Sequence, residues 1–244
     1  MKTKILFALT ALASLLNTAC SVETMNSDQV VPQAIYQSYS VTYHAASDST
    51  EYYAQFRAGG PTGTTLSLTD PSMIKANNSK LSSKWMLGTY YSRSVSGFHP
   101  EATFEWTDNQ QKVYQNSAVL KPISIRQAAA TISAKSPYEV ELDVQNLSSD
   151  EEVSVSLSQE RQGQEQKDYR LVRAAYDPNN RKAIFSPAEL AKLWNGNATL
   201  TVTRGKSQAL KQSPNSKGNL SATYVAPPRT VVIMDVAPLS LAGR

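Results

Sequence analysis

The sequence predicts an all-β chain, built as two β-sandwich regions with one short helix set into the second. Three observations carry that expectation. Segments in which apolar and polar residues alternate recur from Ile35 to Val236, the period-2 signature of half-buried strands. Clusters of Gly, Pro, Asn and Asp separate them at short spacing, as in a sandwich. Helical spacing with both a start and a stop signal occurs in one place only, Pro187 to about Trp194.

The first region spans 35–121. Tyr39, Val41 and Tyr43 alternate with Ser40, Thr42 and His44, and Tyr52, Ala54 and Phe56 repeat the pattern. Gly59-Gly60-Pro61-Thr62-Gly63 breaks it. Leu66 and Leu68 restart it, and Asn77-Asn78 makes a turn between Met73-Ile74 and Leu81. Trp85 to Val95 reads as one long strand. Ala102, Phe104 and Trp106 alternate with Thr103, Glu105 and Thr107 before the turn Asp108-Asn109-Gln110. Val113 and the run from Ser117 to Leu120 close the region, and Lys121-Pro122 marks the hinge, because Pro interrupts a strand ladder.

The second region spans 122–236. Val140, Leu142 and Val144 alternate with Glu139, Glu141 and Asp143; Val153, Val155 and Leu157 alternate with serines. A polar loop is expected from Gln159 to Lys167, then a strand from Tyr169 to Tyr176 and a turn at Asp177-Pro178-Asn179-Asn180. In the helix, Ser186 is the N-cap, Pro187 takes N1, and Glu189 at N3 completes a capping box. Leu190, Leu193 and Trp194 share a face, and Asn195-Gly196 ends it. Leu200 and Val202 open a strand, a polar loop follows from Gly205 to Asn219, and strands at Leu220–Val225 and Thr230–Val236 finish the fold. Seven or so strands in this span resemble an immunoglobulin-like sandwich in architecture, without its Cys pair or matching Trp.

Ahead of both regions lies a leader. Lys2 and Lys4 precede an apolar run from Ile5 to Leu16, and Asn17-Thr18-Ala19 lead into Cys20, the only cysteine. The run is too short for the ~20 residues a membrane-spanning helix needs and suits a cleaved secretory signal. Ending at a solitary Cys, it resembles a bacterial lipoprotein signal, although Asn17 stands where that pattern has Leu. The resemblance implies a signal peptide at 1–19, lipid attachment at Cys20, and a lipidated tether over 20–34. It also gives an exported chain a reason to carry one unpaired Cys. Ser21 after Cys20 is compatible with outer-membrane sorting under enterobacterial rules. The last residues, 237–244, read as a tail.

Composition narrows the function. The formal charge is +4; cleavage would remove two lysines and leave about +2, with no basic stripe of the kind nucleic-acid binders carry. His44 and His99 are far apart in sequence, no cluster has metal-ligand spacing, and no cofactor motif occurs. Ser72-Met73-Ile74-Lys75 spells S-x-x-K without its companion motifs. The Gly59–Gly63 stretch lacks the Lys-Ser/Thr and the helix of a phosphate-binding loop. The acids Glu139, Glu141 and Asp143 on one strand face, and Asp150-Glu151-Glu152 in a turn, read as solubilising residues rather than a glycosidase pair. The aromatic inventory, twelve Tyr and three Trp, is the distinctive feature. In the adjacent pairs Tyr52-Tyr53 and Tyr90-Tyr91 one member must face outward. Exposed Tyr suits protein contacts or stacking on sugars, but Tyr is also a favoured strand residue on any half-buried surface, and that plainer reading is the preferred one.

The expectation is therefore a non-enzymatic, lipid-anchored protein of the bacterial cell envelope that works as a binding, adhesion or structural module. It would be held on a membrane through Cys20, with a protein or glycan ligand and no nucleic acid. The alternatives are an accessory subunit of an envelope-assembly complex or an extracytoplasmic hydrolase.

Overall fold

The computed structural model describes residues 24–86, 88–162 and 167–236; the expected signal peptide 1–19, Cys20 and the expected tail 237–244 lie outside them. The first half forms β1 (Thr24–Asn26), β2 (Ile35–His44), β3 (Ser49–Ala58), β4 (Thr65–Ser67), β5 (Met73–Ala76), β6 (Ser79–Lys80), β7 (Ser82–Trp85), β8 (Thr89–Ser96), β9 (Glu101–Thr107) and β10 (Val113–Val119). The second half adds β11 (Ser124–Ala128), β12 (Thr131–Ser133), β13 (Tyr138–Asp143), β14 (Glu151–Gln162), β15 (Lys167–Arg173), β16 (Ala175–Asp177) and β17 (Lys182–Phe185). It ends with α1 (Pro187–Leu190), β18 (Gly196–Ala209), β19 (Gly218–Val225) and β20 (Arg229–Met234). The described residues are all-β apart from α1 and short 3₁₀ turns, as their alternation predicts.

One twelve-stranded sheet runs through the whole protein in the order β1-β4-β3-β2-β19-β18-β14-β15, with β8 and β7 joined to β3, and β20 and β12 joined to β18. Two four-stranded sheets, β10-β9-β5-β6 and β11-β13-β17-β16, pack on its inner face. Two sandwiches result. The first core is aromatic: Tyr39 stacks on Phe104 at 5.1 Å, Phe56 meets Trp106 at 5.2 Å, and Trp106 stacks on Tyr114 at 5.3 Å. The second is mostly aliphatic, with Val140, Leu157, Leu190, Leu193, Leu200 and Val202 fully buried around the Tyr138–Phe185 stack. A one-residue slip of β2 against β3 would turn Tyr39, Val41 and Tyr43 out to solvent, so burial fixes the register.

The sandwiches are joined by more than Lys121-Pro122. β19 pairs with β2 in parallel over eight residues, from Gly218↔Gln37 to Val225↔His44. Leu210, Leu220 and Ala222 thereby enter the first core, although they follow most of the second in sequence.

Several boundaries differ from expectation. The segment expected as tether is folded from Thr24 onward: β1 pairs with β4, Ser27 is fully buried with its hydroxyl accepting from Thr69 N–H, and Met25 and Val30 pack on the first core. Trp85–Val95 is not one strand. Gly88, at φ +113°, lets β7 fold back on β8 in a hairpin. The expected loop Gln159–Lys167 is mostly strand, because β14 and β15 continue as an edge hairpin with Arg161 opposite Asp168. Likewise β18 and β19 extend into the loop expected at Gly205–Asn219, pairing up to Ala209↔Asn219. The helix has the predicted start, with Glu189 N–H donating to Ser186 Oγ at 3.2 Å. The Glu189 carboxylate, however, holds Lys192 Nζ at 2.8 Å. Past Leu190 the chain tightens to i→i−3 bonds, with Lys192 N–H donating to Glu189 O and Leu193 N–H to Leu190 O, and side chains then take the backbone groups that follow. Arg170 donates to Lys192 O at 2.7 Å, and Gln159 bonds both Trp194 N–H (2.7 Å) and Trp194 O (2.9 Å).

Candidate functional site

Alternation sends the apolar residues of the long sheet inward, so its other face is built from what lies between them. On that face Ser154, Ser156 and Ser158 of β14 stand opposite Thr203, Thr201 and Thr199 of β18. β18 then sets Gly205 and Ser207 opposite Thr223 and Ser221 of β19, and β19 lies beside Thr42 and Ser40 of β2. At the outward-facing paired positions from β18 to β2 the face carries Ser, Thr and Asn side chains together with Gly205, Ala209, Val225 and His44, and no Lys, Arg, Asp or Glu. Charges stand at its flanks, with Glu152 opposite Gly205, Glu51 opposite Thr42 and Arg173 opposite Ser156.

A groove of about 560 Å³ opens in this face, lined by the hydroxyls of Ser154, Thr203, Ser207, Ser221 and Thr223 with Gly205, and also by the charged side chains of Asp150, Glu151, Glu152 and Lys206. Gly205 gives it depth: a Cβ there would sit 3.3 Å from both Thr223 Oγ1 and the Ala222 carbonyl oxygen. The Lys206–Asp150 pair is closed at 2.5 Å, and Lys206 and Ser148 hold the Asp150 carboxyl below the ordinary range.

The aromatic pairs divide as expected. Tyr52 and Tyr91 are buried, and Tyr53 and Tyr90 lie on the outer face. Tyr53 stands opposite Ser40 on one side and Ser92 on the other. Its ring stacks on Tyr90 with centroids 5.2 Å apart and planes at 24°; burial pushes the Tyr53 hydroxyl pKa up. The face thus combines small hydroxyls, each a donor and an acceptor, with a planar aromatic patch. That combination suits an uncharged, polyhydroxylated ligand laid across strands.

Glu151, one of the groove's lining residues, also belongs to a buried ion pair. Arg204, 3% exposed, projects inward from β18 and meets Glu151 Oε2 at 2.8 Å, while Lys121 Nζ reaches Glu151 Oε1 at 3.1 Å. Arg204 also donates to Pro122 O and Asn146 O. Burial raises the Glu151 pKa, but Arg204, Ser148 N–H and Lys121 outweigh it and bring it to about 2. Glu151 is therefore not the solubilising acid its turn suggested. The missed signal was Arg204 itself: the Leu200-Val202-Arg204 alternation puts it inside, where a guanidinium requires a carboxylate.

The remaining candidates have structural duties. Ser72 donates to Thr107 O at 2.9 Å and accepts from Trp106 Nε1 at 3.1 Å, while Lys75 pairs with Glu105; the S-x-x-K letters form no catalytic pair. Gly59–Gly63 is a tight turn whose Gly63 carbonyl accepts from Arg57. Glu139 and Glu141 flank Lys182 at 2.8 and 3.7 Å, and the Glu139 carboxylate raises the Lys182 pKa. His99 Nε2 lies 3.2 Å from Ser96 O, and His44 ends β2 opposite Ser49. Among the described residues no three His, Cys, Asp or Glu side chains gather as a metal site. Nor is any helix among them long and apolar enough to cross a membrane. Cys20 lies outside the described residues.

No family model and no curated protein matches the chain. Among solved structures it is similar to a Bacteroides ovatus protein of a mixed-linkage glucan utilization locus, SGBP-B, in complex with a mixed-linkage heptasaccharide. That similarity is 9% identity and a TM-score of 0.24 over 76% of this chain, which spans about half (53%) of the other. It is also similar to the fibronectin(III)-like modules of Clostridium thermocellum CbhA, at 10% identity and a TM-score of 0.22, covering 85% of this chain and 92% of that one. Superpositions this loose establish neither a family nor a ligand.

Proposed function

We propose that the chain is an exported, lipid-anchored binding module of the bacterial cell envelope, and that its working surface is the outer face of the long sheet. The observation behind the reading is the uncharged hydroxyl lattice across β14, β18, β19 and β2, with its groove and its Tyr53–Tyr90 stack. A solubilising face would carry mixed charge throughout. Here the centre is neutral, and hydroxyls recur at the two-residue spacing of the strands, so a chain of sugar rings would find donors and acceptors along its length and an aromatic patch at one end. The module is held through Cys20 and does not transform its ligand.

Binding to an array of neutral envelope and environmental polysaccharides tests this. Retention of at least one glycan is expected, with Tyr53→Ala or Tyr90→Ala weakening it about tenfold, equivalent to ~1.4 kcal/mol. Thr203→Glu, which replaces one of the groove's hydroxyls with a further acid, weakens it further. Binding indifferent to all three substitutions, or no binding, refutes the assignment of this face. Recovery of a stoichiometric protein partner that these substitutions release would make the chain an accessory subunit instead, and cleavage of a retained glycan would make it a hydrolase.

A further inference from the structure

The hairpin β7–β8 ends in apolar side chains with nothing over them: Trp85 is 72% exposed and Met86 69%. Lys84, also exposed, immediately precedes them, and Lys80 lies exposed before β7. Trp85 and Met86 are the two most exposed large apolar side chains among the described residues and are adjacent, and contiguous exposed apolar surface marks a contact site.

The hairpin sits where the described chain begins. Thr65 at the start of β4 ties the two together. Its hydroxyl lies 3.2 Å from Thr24 Oγ1 on one side and accepts from Thr89 N–H at 3.2 Å on the other. Gly88 packs so closely that a Cβ would lie 2.7 Å from Thr65 Cγ2. Thr24 is four residues after Cys20, and four residues reach at most ~14 Å. A lipid on Cys20 would therefore bring the bilayer surface to the end of the sandwich that carries Trp85 and Met86.

We infer that the Trp85–Met86 tip is a second membrane contact, entering the headgroup region of the leaflet that holds the Cys20 lipid. The inference rests on the lipid-anchored reading. Trp favours the membrane–water interface, where its ring is buried in the headgroup layer. Lys84, next to it in β7, suits anionic phospholipid headgroups. Anchor and tip together form two points of attachment. The short link, now four residues rather than a long tether, restricts how the sheet face tilts from the surface.

The test uses the mature protein purified from membranes and reconstituted in phosphatidylethanolamine–phosphatidylglycerol vesicles with brominated acyl chains. Mass spectrometry of the N-terminal peptide reads the lipid on Cys20, and tryptophan quenching reads the tip. Trp106 is buried in the core, and subtracting the emission of the Trp85→Phe protein isolates the Trp85 signal. The expected result is a lipidated Cys20 together with a blue-shifted Trp85 signal that loses about half its intensity to the brominated chains. Lipid on Cys20 with Trp85 unquenched and unshifted overturns the tip alone. No lipid on Cys20 overturns the tip and the anchor together.

Discussion

Glu151→Gln removes one charge and little volume from the seam between the sandwiches. The Glu151 side chain is 4% exposed and faces Arg204 at 2.8 Å, with a pKa of about 2 in the folded chain. An unfolded glutamate titrates near ~4.3, and each pKa unit corresponds to ~1.4 kcal/mol, so the ionised form stabilises the fold by ~3 kcal/mol at neutral pH. Because the folded pKa is the depressed one, that stabilisation is complete above ~pH 5 and is lost as pH falls toward ~2. The substituted amide cannot ionise and would leave Arg204 buried without a counter-charge, a defect of the same order, ~3 kcal/mol. Urea unfolding of wild type and E151Q from neutral pH downward reads the difference directly. A gap of ~3 kcal/mol at pH 7 is expected to close as the wild-type carboxyl takes up its proton, since other titrating groups are common to both proteins. A gap under ~0.5 kcal/mol at pH 7, or one that stays constant as the pH falls, refutes the assigned role of the pair.

Two further substitutions test local claims. Gly63→Ala drives a Cβ into the Ala58 carbonyl oxygen, far inside contact distance; the turn must open, at a cost of more than ~2 kcal/mol in urea unfolding. Ser72→Ala strips the acceptor from the buried Trp106 indole N–H, and a loss of ~1–3 kcal/mol is expected, with near-UV circular dichroism reporting the shifted Trp106 environment.

Strand existence was legible wherever one face is buried, because alternation at Tyr39, Phe104 or Val140 reports the core directly. It failed where strands are polar on both faces. Arg161 and Lys206 sit in ladders held by backbone hydrogen bonds, and their side chains carry no period for a reader to detect. The β7–β8 reversal was hidden because Gly88 interrupts an otherwise continuous pattern and its positive φ is invisible to composition. The outward Tyr53 and Tyr90 were foreseeable from parity alone; their stacking required knowing that β3 and β8 are neighbours. The Ser/Thr lattice was present in the sequence strand by strand but did not look like a site, since no local spacing brings Ser154 and Ser40 to one surface.

What brings them together is the parallel pair β2–β19, formed by segments about 180 residues apart. Its inner side is apolar: Leu220 and Ala222 fill the first core beside Tyr39 and Val41. β18, antiparallel to β19, buries Leu200 and Val202 in the second core. One β-hairpin thus supplies both cores, and Tyr224 packs against each of them. Ordering the strands of either sandwich therefore aligns the hydroxyl rows of the other, because a register fixed by burial on one face of a strand fixes the opposite face as well. The Glu151–Arg204 pair acts at the same place, tying β14 to β18 and, through Lys121 and Pro122, to the single covalent crossing that precedes the hairpin. The long outer face is accordingly a property of the joined pair of sandwiches. A fragment ending at Lys121 would lack Leu210, Leu220 and Ala222 from its core and, with them, the central rows of the surface proposed to bind.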